Sequence, residues 1–378
     1  MITRSVSRRV MLQAGGLAAL GIGLPACAGR RSRPAVRSVP ARRLARVRVS
    51  EDRIIRTVVG LRPFRASGFV VRAEKLGEKT VVHNYGHGGG GITLSWGSSE
   101  LAVEQAWKTG EKRFAVLGCG AVGLASARLL QQRGAEVTIY AKELPPHTTS
   151  NIAGGQWSPT AVMDPSRRTP ESDALLSRAC RLSHRSFQQL PGTEFGIRWI
   201  DNYVLSDEPL GEWWEHGLVR DLFPEERELR PDEHPFRARH ARRFTTMLTE
   251  PPVYLTAMVR ELRLAGVPIV VREFRSREEI RDLPEPAVLN CTGLGAKALF
   301  GDEELEPVRG QLTFLLPQAE IEYIVIAGEL YMIPRRDGIA LGGTFEAGDW
   351  RLEVDEATRQ RIVAGHRELF EGMRPAAS

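Results

Sequence analysis

The chain has 378 residues, enough for two domains of ordinary size, and its 42% hydrophobic and 26% charged residues are typical of a soluble globular protein. The formal net charge is +6, but residues 1–50 contain eleven arginines, no lysine and no acid, which leaves −5 for residues 51–378. The basic character therefore belongs to the N-terminus and does not indicate a nucleic-acid partner. Four scattered cysteines favour neither a disulfide framework nor a metal site.

The first 27 residues have the pattern of an export signal. Arg8 and Arg9 precede an apolar run over residues 14–26, which is too short to span a bilayer as a helix. A basic start and a short apolar core that ends in small residues are typical of a secretory signal, and the arginine pair resembles a twin-arginine signal. Residues 24–27 resemble a lipobox, which would place a lipid anchor on Cys27. We expect an exported protein, periplasmic or anchored to the outer side of the cytoplasmic membrane; an ordinary cleavable signal and a disordered basic tail are the alternatives.

Residues 28–50 follow as a predicted linker. They are rich in Arg, Pro and Ala. This composition predicts a tether with no core of its own.

A glycine-rich segment precedes the next predicted helix. Residues 83–97 read HNYGHGGGGITLSWG, and a helix is predicted over 99–107. Consecutive glycines before a helix place bare backbone amides beside a bound group. The residues that we expect at this site are Gly88, Gly89, Gly90, Gly91 and Thr93. His83 and His87 have no third ligand nearby in the sequence, so we predict no metal site.

A strand, a glycine-rich turn, a helix and a second strand come next. Residues 114–117 read FAVL, residues 118–123 read GCGAVG, and the second strand is predicted over 136–140. This context is the dinucleotide-binding fingerprint, in which the glycines permit a tight turn, close approach of a pyrophosphate and close packing of the helix. The predicted contacts are Gly118, Gly120, Ala121, Val122 and Gly123. Glu143 is the candidate ligand of the ribose, although Lys142 holds the nearest position.

Together these motifs resemble those of the D-amino-acid oxidases. Residues 83–97 are similar to the C-terminal signature of that family, and residues 139–159 are similar to its second strand and flavin loop. The further segments that carry the resemblance are 60–65 (GLRPFR), 254–267, 288–293 (VLNCTG), 309–311 (RGQ), 331–334 (YMIP) and 341–345 (LGGTF). The likeness covers most of residues 51–370.

The resemblance implies an α/β fold, with a doubly wound FAD-binding domain and a mixed-sheet substrate domain. It implies FAD as the cofactor, Arg62 as the clamp for a substrate carboxylate, and Tyr331 as a second catalytic residue that adds a hydroxyl donor. The cofactor contacts that it adds are Thr148, Thr149, Gly154, Gly155, Gln156, Thr292 and Gly293. The implied reaction is oxidative deamination of D-amino acids to 2-keto acids, ammonia and hydrogen peroxide.

The order of the segments departs from that family. The family begins with the GxGxxG strand and ends with the HNYGHGG segment, whereas here the latter comes first, so we predict a circularly permuted chain. The predicted join is the short polar connector at residues 108–112. We expect an FAD-binding domain over 58–160 and 248–312, and a substrate domain over 161–247 and 313–378.

Several functions remain open from the sequence. Besides an oxidase that uses oxygen, the alternatives are a dehydrogenase that passes electrons to a membrane acceptor, a glycine- or sarcosine-type amine oxidase, and a flavin-binding protein without turnover. Phe345 stands where the D-aspartate-oxidising relatives place an arginine, so neutral D-amino acids are the expected substrates. Arg335 and Arg336 could still serve an acidic substrate if they point inward.

Overall fold

The computed structural model describes residues 43–374, which form ten α-helices and fifteen β-strands. The strands are β1 (Ile54–Arg65), β2 (Val70–Leu76), β3 (Lys79–Tyr85), β4 (Arg113–Leu117), β5 (Glu136–Ala141), β6 (Ile197–Ser206), β7 (Arg227–Leu229), β8 (His240–Thr249), β9 (Ile269–Val271), β10 (Ala287–Asn290), β11 (Leu305–Leu315), β12 (Tyr323–Ala327), β13 (Leu330–Arg335), β14 (Gly338–Gly342) and β15 (Glu346–Ala347). The helices are α1 (Gly91–Trp107), α2 (Ala121–Gln132), α3 (Thr149–Ile152), α4 (Pro170–Gln189), α5 (Gly192–Phe195), α6 (Trp214–Gly217), α7 (Pro251–Leu264), α8 (Arg277–Arg281), α9 (Gly295–Phe300) and α10 (Glu356–Glu371).

The six-stranded sheet has the order β2-β3-β10-β4-β5-β9, and all of its pairings are parallel except that of β2 with β3. Phe114, Ala115, Val116 and Leu117 in the centre of this sheet are completely buried. A continuous apolar run is what a parallel strand covered on both faces requires. The predicted strand–turn–helix–strand unit is therefore confirmed as β4, α2 and β5.

The nine-stranded sheet has the order β1-β11-β14-β13-β12-β6-β8-β7, with β15 paired to β11. Its pairings are antiparallel except that of β6 with β12. The two sheets give the predicted fold class, a doubly wound sheet together with a mixed sheet, and both belong to one compact unit.

Strand β1 differs from the predicted domain division. It pairs with β11 along its whole length, from Ile54 opposite Leu315 to Arg65 opposite Leu305. Residues 58–65 and 305–312, which the sequence analysis assigned to the FAD-binding domain, thus lie in the nine-stranded sheet. The long antiparallel pairing of β1 with β11 places both segments in this sheet, and no short sequence motif predicts that pairing.

The end of the predicted linker also packs on the fold. Val47 and Val49 are buried against the nine-stranded sheet, and the Tyr323 hydroxyl donates to the Ala45 carbonyl at 2.6 Å. This end of the segment is therefore attached to the fold, because the alternating Val47 and Val49 present one apolar face to it. Residues 28–42, the predicted signal and Cys27 lie outside the described residues.

Helix α1 begins at Gly91, eight residues before the predicted start. Nearly all of its side chains from Ile92 to Ser99 are buried, so the sequence shows no amphipathic period there. Gly97 lets α1 approach α4 closely, since an added Cβ would overlap the carbonyl of Ala179. Between Arg43 and Arg374, no helix combines the length and the apolar character needed to cross a membrane.

Candidate active site

A cavity of about 1210 Å³ lies between the carboxyl ends of the six-stranded sheet and one face of the nine-stranded sheet. Binding pockets for single small molecules usually have about 300–1,000 Å³. The cavity can therefore hold a dinucleotide together with a further small molecule. Carboxyl ends of parallel strands are also where open α/β sheets bind their ligands.

The GxGxxG turn forms one wall of this cavity. Gly118 has a φ of +112°, and an added Cβ would overlap the carbonyl oxygen of Cys291. Gly120 lines the cavity, as do Ala121 and Val122. Gly123 does not line it; its missing side chain lets α2 pack on the carbonyl of Gly118. Gly118 and Gly123 therefore have the turn and packing roles that the fingerprint predicts, and Gly120 lies at the cavity surface.

The N-terminus of α2 faces the cavity without a capping side chain at Gly120. The amide of Ala121 donates to the Ser150 hydroxyl at 3.0 Å. Ser150 lines the cavity and was not among the predicted contacts, although it follows Thr148 and Thr149, which also line it. A helix N-terminus with available amides favours a phosphate group.

Beyond this helix, charged residues surround the end of β5. Glu143 lines the cavity, as predicted, and Lys142 forms an ion pair with Glu273 at 2.9 Å. Arg272 and Phe274 line the same end, with the guanidinium 4.7 Å from the ring centroid. Because Lys142 is held by Glu273, Glu143 is the acid left to accept hydrogen bonds from a ribose.

The glycine run at the start of α1 forms the opposite wall. Gly88 has a φ of +53°, and the amide of Gly89 donates to the carbonyl of Ala161 at 2.9 Å. Gly88, Gly89 and Gly91 line the cavity, whereas Gly90 makes room for Val162, 2.6 Å from an added Cβ. Gly90 therefore supports the wall from behind instead of contacting the bound group.

Thr93 lines the cavity and also fixes its wall. Its hydroxyl donates to the Ser158 carbonyl at 2.9 Å, and the Ser158 amide lies 3.1 Å from the same oxygen. Both hydrogen bonds are buried. Thr93 thus links α1 to the segment that follows α3.

The remaining predicted contacts come from two loops. Gly154, Gly155 and Gln156 line the cavity, and Gly155 has a φ of +96° that allows its carbonyl to accept the Thr249 amide at 2.8 Å. Thr292 and Gly293 line it as well. All of the predicted cofactor contacts except Gly90 and Gly123 therefore reach the cavity surface.

Arg62 and Tyr331 meet at the far end of the cavity, on the nine-stranded sheet. Arg62 Nη2 lies 3.4 Å from the Tyr331 hydroxyl, and Nη1 lies 3.4 Å from the carbonyls of Arg309 and of Thr344. These contacts are long, and within residues 43–374 no carboxylate pairs with this guanidinium. Two donors thus converge on a space that can receive an anion.

Comparison with known proteins identifies the family. The family model described as "DAO: FAD dependent oxidoreductase" matches residues 17–105 and 113–378. The chain belongs to this family. It is 33% identical over 262 residues to a D-amino-acid oxidase of Rubrobacter xylanophilus, covering 66% of this chain and 75% of the relative. It is 27% identical over 261 residues to a human D-aspartate oxidase, covering 67% of this chain and 74% of the relative.

Solved structures agree on the fold. A glycine oxidase from Bacillus cereus superposes with a TM-score of 0.52 at 16% identity, covering 70% of this chain and 79% of the other. An L-proline dehydrogenase from P. horikoshii gives 0.51 at 17% identity, covering 68% and 76%. At these identities the likeness establishes the architecture only.

The cavity of this FAD-dependent oxidoreductase fits its cofactor. The uncapped α2 N-terminus and Ser150 can hold the pyrophosphate, Glu143 can hold the ribose, and the wall at Gly88 to Gly91 can meet the ring system. Asn84 also lines the cavity, and its Oδ1 is buried without a hydrogen-bond partner among the described residues.

Three residues were expected to affect the choice of substrate: Phe345, Arg335 and Arg336. Phe345 lines the cavity beside Arg62, with the guanidinium 5.9 Å from its ring centroid. Arg335 is buried and held by Asp337 at 2.7 Å, and Arg336 is exposed beside Glu250. Neither of these two arginines lines the cavity.

The histidines and cysteines have structural surroundings. Burial lowers the pKa of His87 to about 3, and its Nε2 lies 2.8 Å from the Ser98 hydroxyl. His83 contacts Asn290 and Glu74, and the described residues contain no group of three His, Cys, Asp or Glu that could hold a metal ion. Burial raises the pKa of Cys291 to about 12, so its thiol is protonated.

Three further cavity residues carried no signal in the sequence. Trp213, Glu329 and Arg361 come from three separate segments and all line the cavity. Arg361 donates to the Gly343 carbonyl at 2.8 Å, and its other nitrogen lies 3.9 Å from Glu329. Only tertiary contacts bring these residues to the site, and no local spacing could have indicated them.

Proposed function

We propose that this enzyme oxidises D-amino acids, with neutral ones preferred, to 2-keto acids, ammonia and hydrogen peroxide. The observation that carries the proposal is the guanidinium of Arg62, which pairs with no carboxylate of the described residues and lies beside the Tyr331 hydroxyl in the cavity. A guanidinium can bind a carboxylate through two parallel hydrogen bonds, which fixes the orientation as well as the position of a substrate. The names of the relatives, three D-amino-acid oxidases at 28–33% identity and a D-aspartate oxidase, support the D configuration.

FAD, when bound, supplies the two-electron acceptor for the carbon–nitrogen bond. Arg62 and Tyr331 would hold the substrate carboxylate so that its α-carbon stays at one place in the cavity. The amides at the start of α1 favour negative charge beside the glycine wall. The imine released by oxidation reacts with water to give the keto acid and ammonia, and oxygen takes up the two electrons and two protons as hydrogen peroxide.

The preference for neutral side chains rests on Phe345. An aromatic ring beside Arg62 offers apolar surface and no countercharge, so the second carboxylate of D-aspartate would lose its hydration without gaining a partner. Arg335 and Arg336, which could have served that carboxylate, are held elsewhere by Asp337 and Glu250. Arg361 also lines the cavity, and it is bound to the Gly343 carbonyl.

Anaerobic reduction of the bound flavin tests the proposal. We expect D-alanine and D-phenylalanine to bleach the flavin much faster than their L-enantiomers, glycine, sarcosine or D-aspartate. Rapid mixing of the reduced enzyme with oxygen then separates an oxidase from a dehydrogenase that needs a membrane acceptor. A flavin that no amino acid reduces would leave only a flavin-binding protein.

We further propose that the chain is circularly permuted and exported. The family match is interrupted at residues 106–112, at the connector between α1 and β4. Arg46 donates to the Met373 carbonyl at 2.7 Å, and Arg359 pairs with Glu51 at 2.7 Å, so the start of the described chain lies beside the last helix. A chain that ran directly from α10 into β1 would meet little strain there, which supports the permutation.

The support for export is the N-terminal pattern of paired arginines, an apolar run and Cys27. A twin-arginine route would carry a protein that had already folded around its flavin. Export can be followed by fractionating cells and measuring flavin-loaded protein on each side of the cytoplasmic membrane.

A further inference from the structure

The two side chains proposed to bind the carboxylate both lie over glycines of the sheet. Tyr331 on β13 is directly opposite Gly342 on β14. Gly310 on β11 is opposite Gly60 on β1, which places it diagonally from Arg62. Diagonal neighbours of an antiparallel pair are within reach of a long side chain.

An added methyl group at either glycine would meet the functional side chain first. At Gly342 the three nearest heavy atoms all belong to Tyr331, and its hydroxyl would be 2.5 Å from the new Cβ. At Gly310 the three nearest atoms all belong to the Arg62 guanidinium, with Nη1 at 2.6 Å and Cζ at 2.8 Å. Neither glycine has a left-handed φ, so the backbone itself would accept alanine.

The neighbours of these two glycines on the same face of the sheet include large, buried apolar side chains. Leu312 is the β11 partner of Gly342, and both Leu312 and Ile333 are buried on the cavity side of the same sheet. Glycine inside a strand weakens the sheet and often marks a place where another group approaches closely. Here the groups that approach are the Arg62 guanidinium and the Tyr331 ring.

We propose that Gly310 and Gly342 are positioning residues, whose missing side chains let Arg62 and Tyr331 lie flat on the sheet and converge on one carboxylate. The proposal rests on the proposed function and names what sets its geometry. The 3.4 Å separation between Arg62 Nη2 and the Tyr331 hydroxyl depends on both side chains remaining close to the surface of the sheet. Alanine at either position lifts one of them and separates the two donors.

The test compares Gly342→Ala and Gly310→Ala with a control, Gly211→Ala. An added Cβ at Gly211 has no neighbour within 4 Å, and its φ is not left-handed. Benzoate serves as a carboxylate probe, because its binding can be followed through the absorption spectrum of the flavin. We expect Gly342→Ala and Gly310→Ala to weaken benzoate binding by roughly 10- to 150-fold, the range for losing a hydrogen bond to a charged group, with normal FAD content. The control should bind benzoate like the unchanged enzyme.

A double-mutant cycle distinguishes positioning from general damage to the sheet. In a Tyr331→Ala background the ring is gone, so Gly342→Ala should change benzoate affinity less than about twofold. Gly310→Ala in an Arg62→Ala background should likewise change benzoate affinity less than about twofold. If Gly342→Ala alone fails to fold, the double variant with Tyr331→Ala must fold for the proposal to stand.

The outcomes separate this proposal from the proposed function. If the unchanged enzyme binds benzoate but is reduced by no amino acid, the proposed function fails and the glycine comparison remains valid. If the glycine variants bind benzoate normally, or if their full loss persists in the Tyr331→Ala and Arg62→Ala backgrounds, the positioning role is refuted.

Discussion

Replacement of Arg62 by alanine should remove most of the catalytic efficiency and leave the flavin bound. In the free enzyme the guanidinium makes three contacts of 3.4 Å with neutral groups, so its removal breaks no strong bond within the protein. A charge-assisted pair with substrate in a desolvated site is worth about 2–5 kcal/mol, or roughly 30- to 5000-fold in kcat/KM. Tyr331→Phe removes one donor to the same carboxylate and leaves the positive charge, so it should cost less, about 10- to 150-fold, the range for losing one hydrogen bond to a charged group.

The assay is anaerobic stopped-flow reduction by D-alanine over a range of concentrations, with FAD content measured from the absorption spectrum. Arg336→Ala is the matched control, because this arginine directly follows β13, the strand that carries Tyr331, but lies outside the cavity. It should behave like the unchanged enzyme with both D-alanine and D-aspartate. Near-normal reduction of the Arg62→Ala variant would remove Arg62 from the substrate site, and a selective loss in Arg336→Ala would transfer its role there.

Three other expectations can be checked separately. Gly120→Val should yield protein without FAD, since the larger side chain meets Ser150 at the proposed pyrophosphate site; a normal flavin spectrum would contradict this. Burial lowers the pKa of His87 and of His216 to about 3, so below about pH 6.5 the unfolded chain binds protons that the folded chain does not. Stability is then complete above that pH and falls by about 1.4 kcal/mol per histidine at about pH 5.5, which urea unfolding at two pH values measures; a flat profile would contradict the burial. Changing both arginines of the Arg8–Arg9 pair to lysine should retain flavin-loaded protein in the cytoplasm, and unchanged export would rule out the twin-arginine route.

The fold could be predicted where local sequence and tertiary structure agree. The FAVL strand and the GxGxxG turn can be predicted from their own residues, because a buried parallel strand must be apolar and a tight turn at Gly118 needs a positive φ. Strand β1 shows the opposite case. Its pairing with β11 joins residues about 250 positions apart, and nothing in either segment specifies the partner. The resemblance to a family supplied the function of this region without supplying its place in the sheet.

The candidate site shows the same difference between residues that a local motif predicts and residues that only the tertiary structure brings together. Tight turns and close backbone contacts require glycines, so Gly88 and Gly118 could be predicted as parts of a binding wall from their motifs. A side chain on a strand leaves no such mark, and Arg62 was predicted only through a resemblance. Gly342 belongs to both groups. In the sequence it is one more strand residue of the LGGTF segment, yet the space that its Cβ would take is filled by the ring of Tyr331, eleven positions away. The glycines of this sheet therefore have to be interpreted by the side chain that fills the space they leave, and that side chain becomes known only when the register of the strands is known.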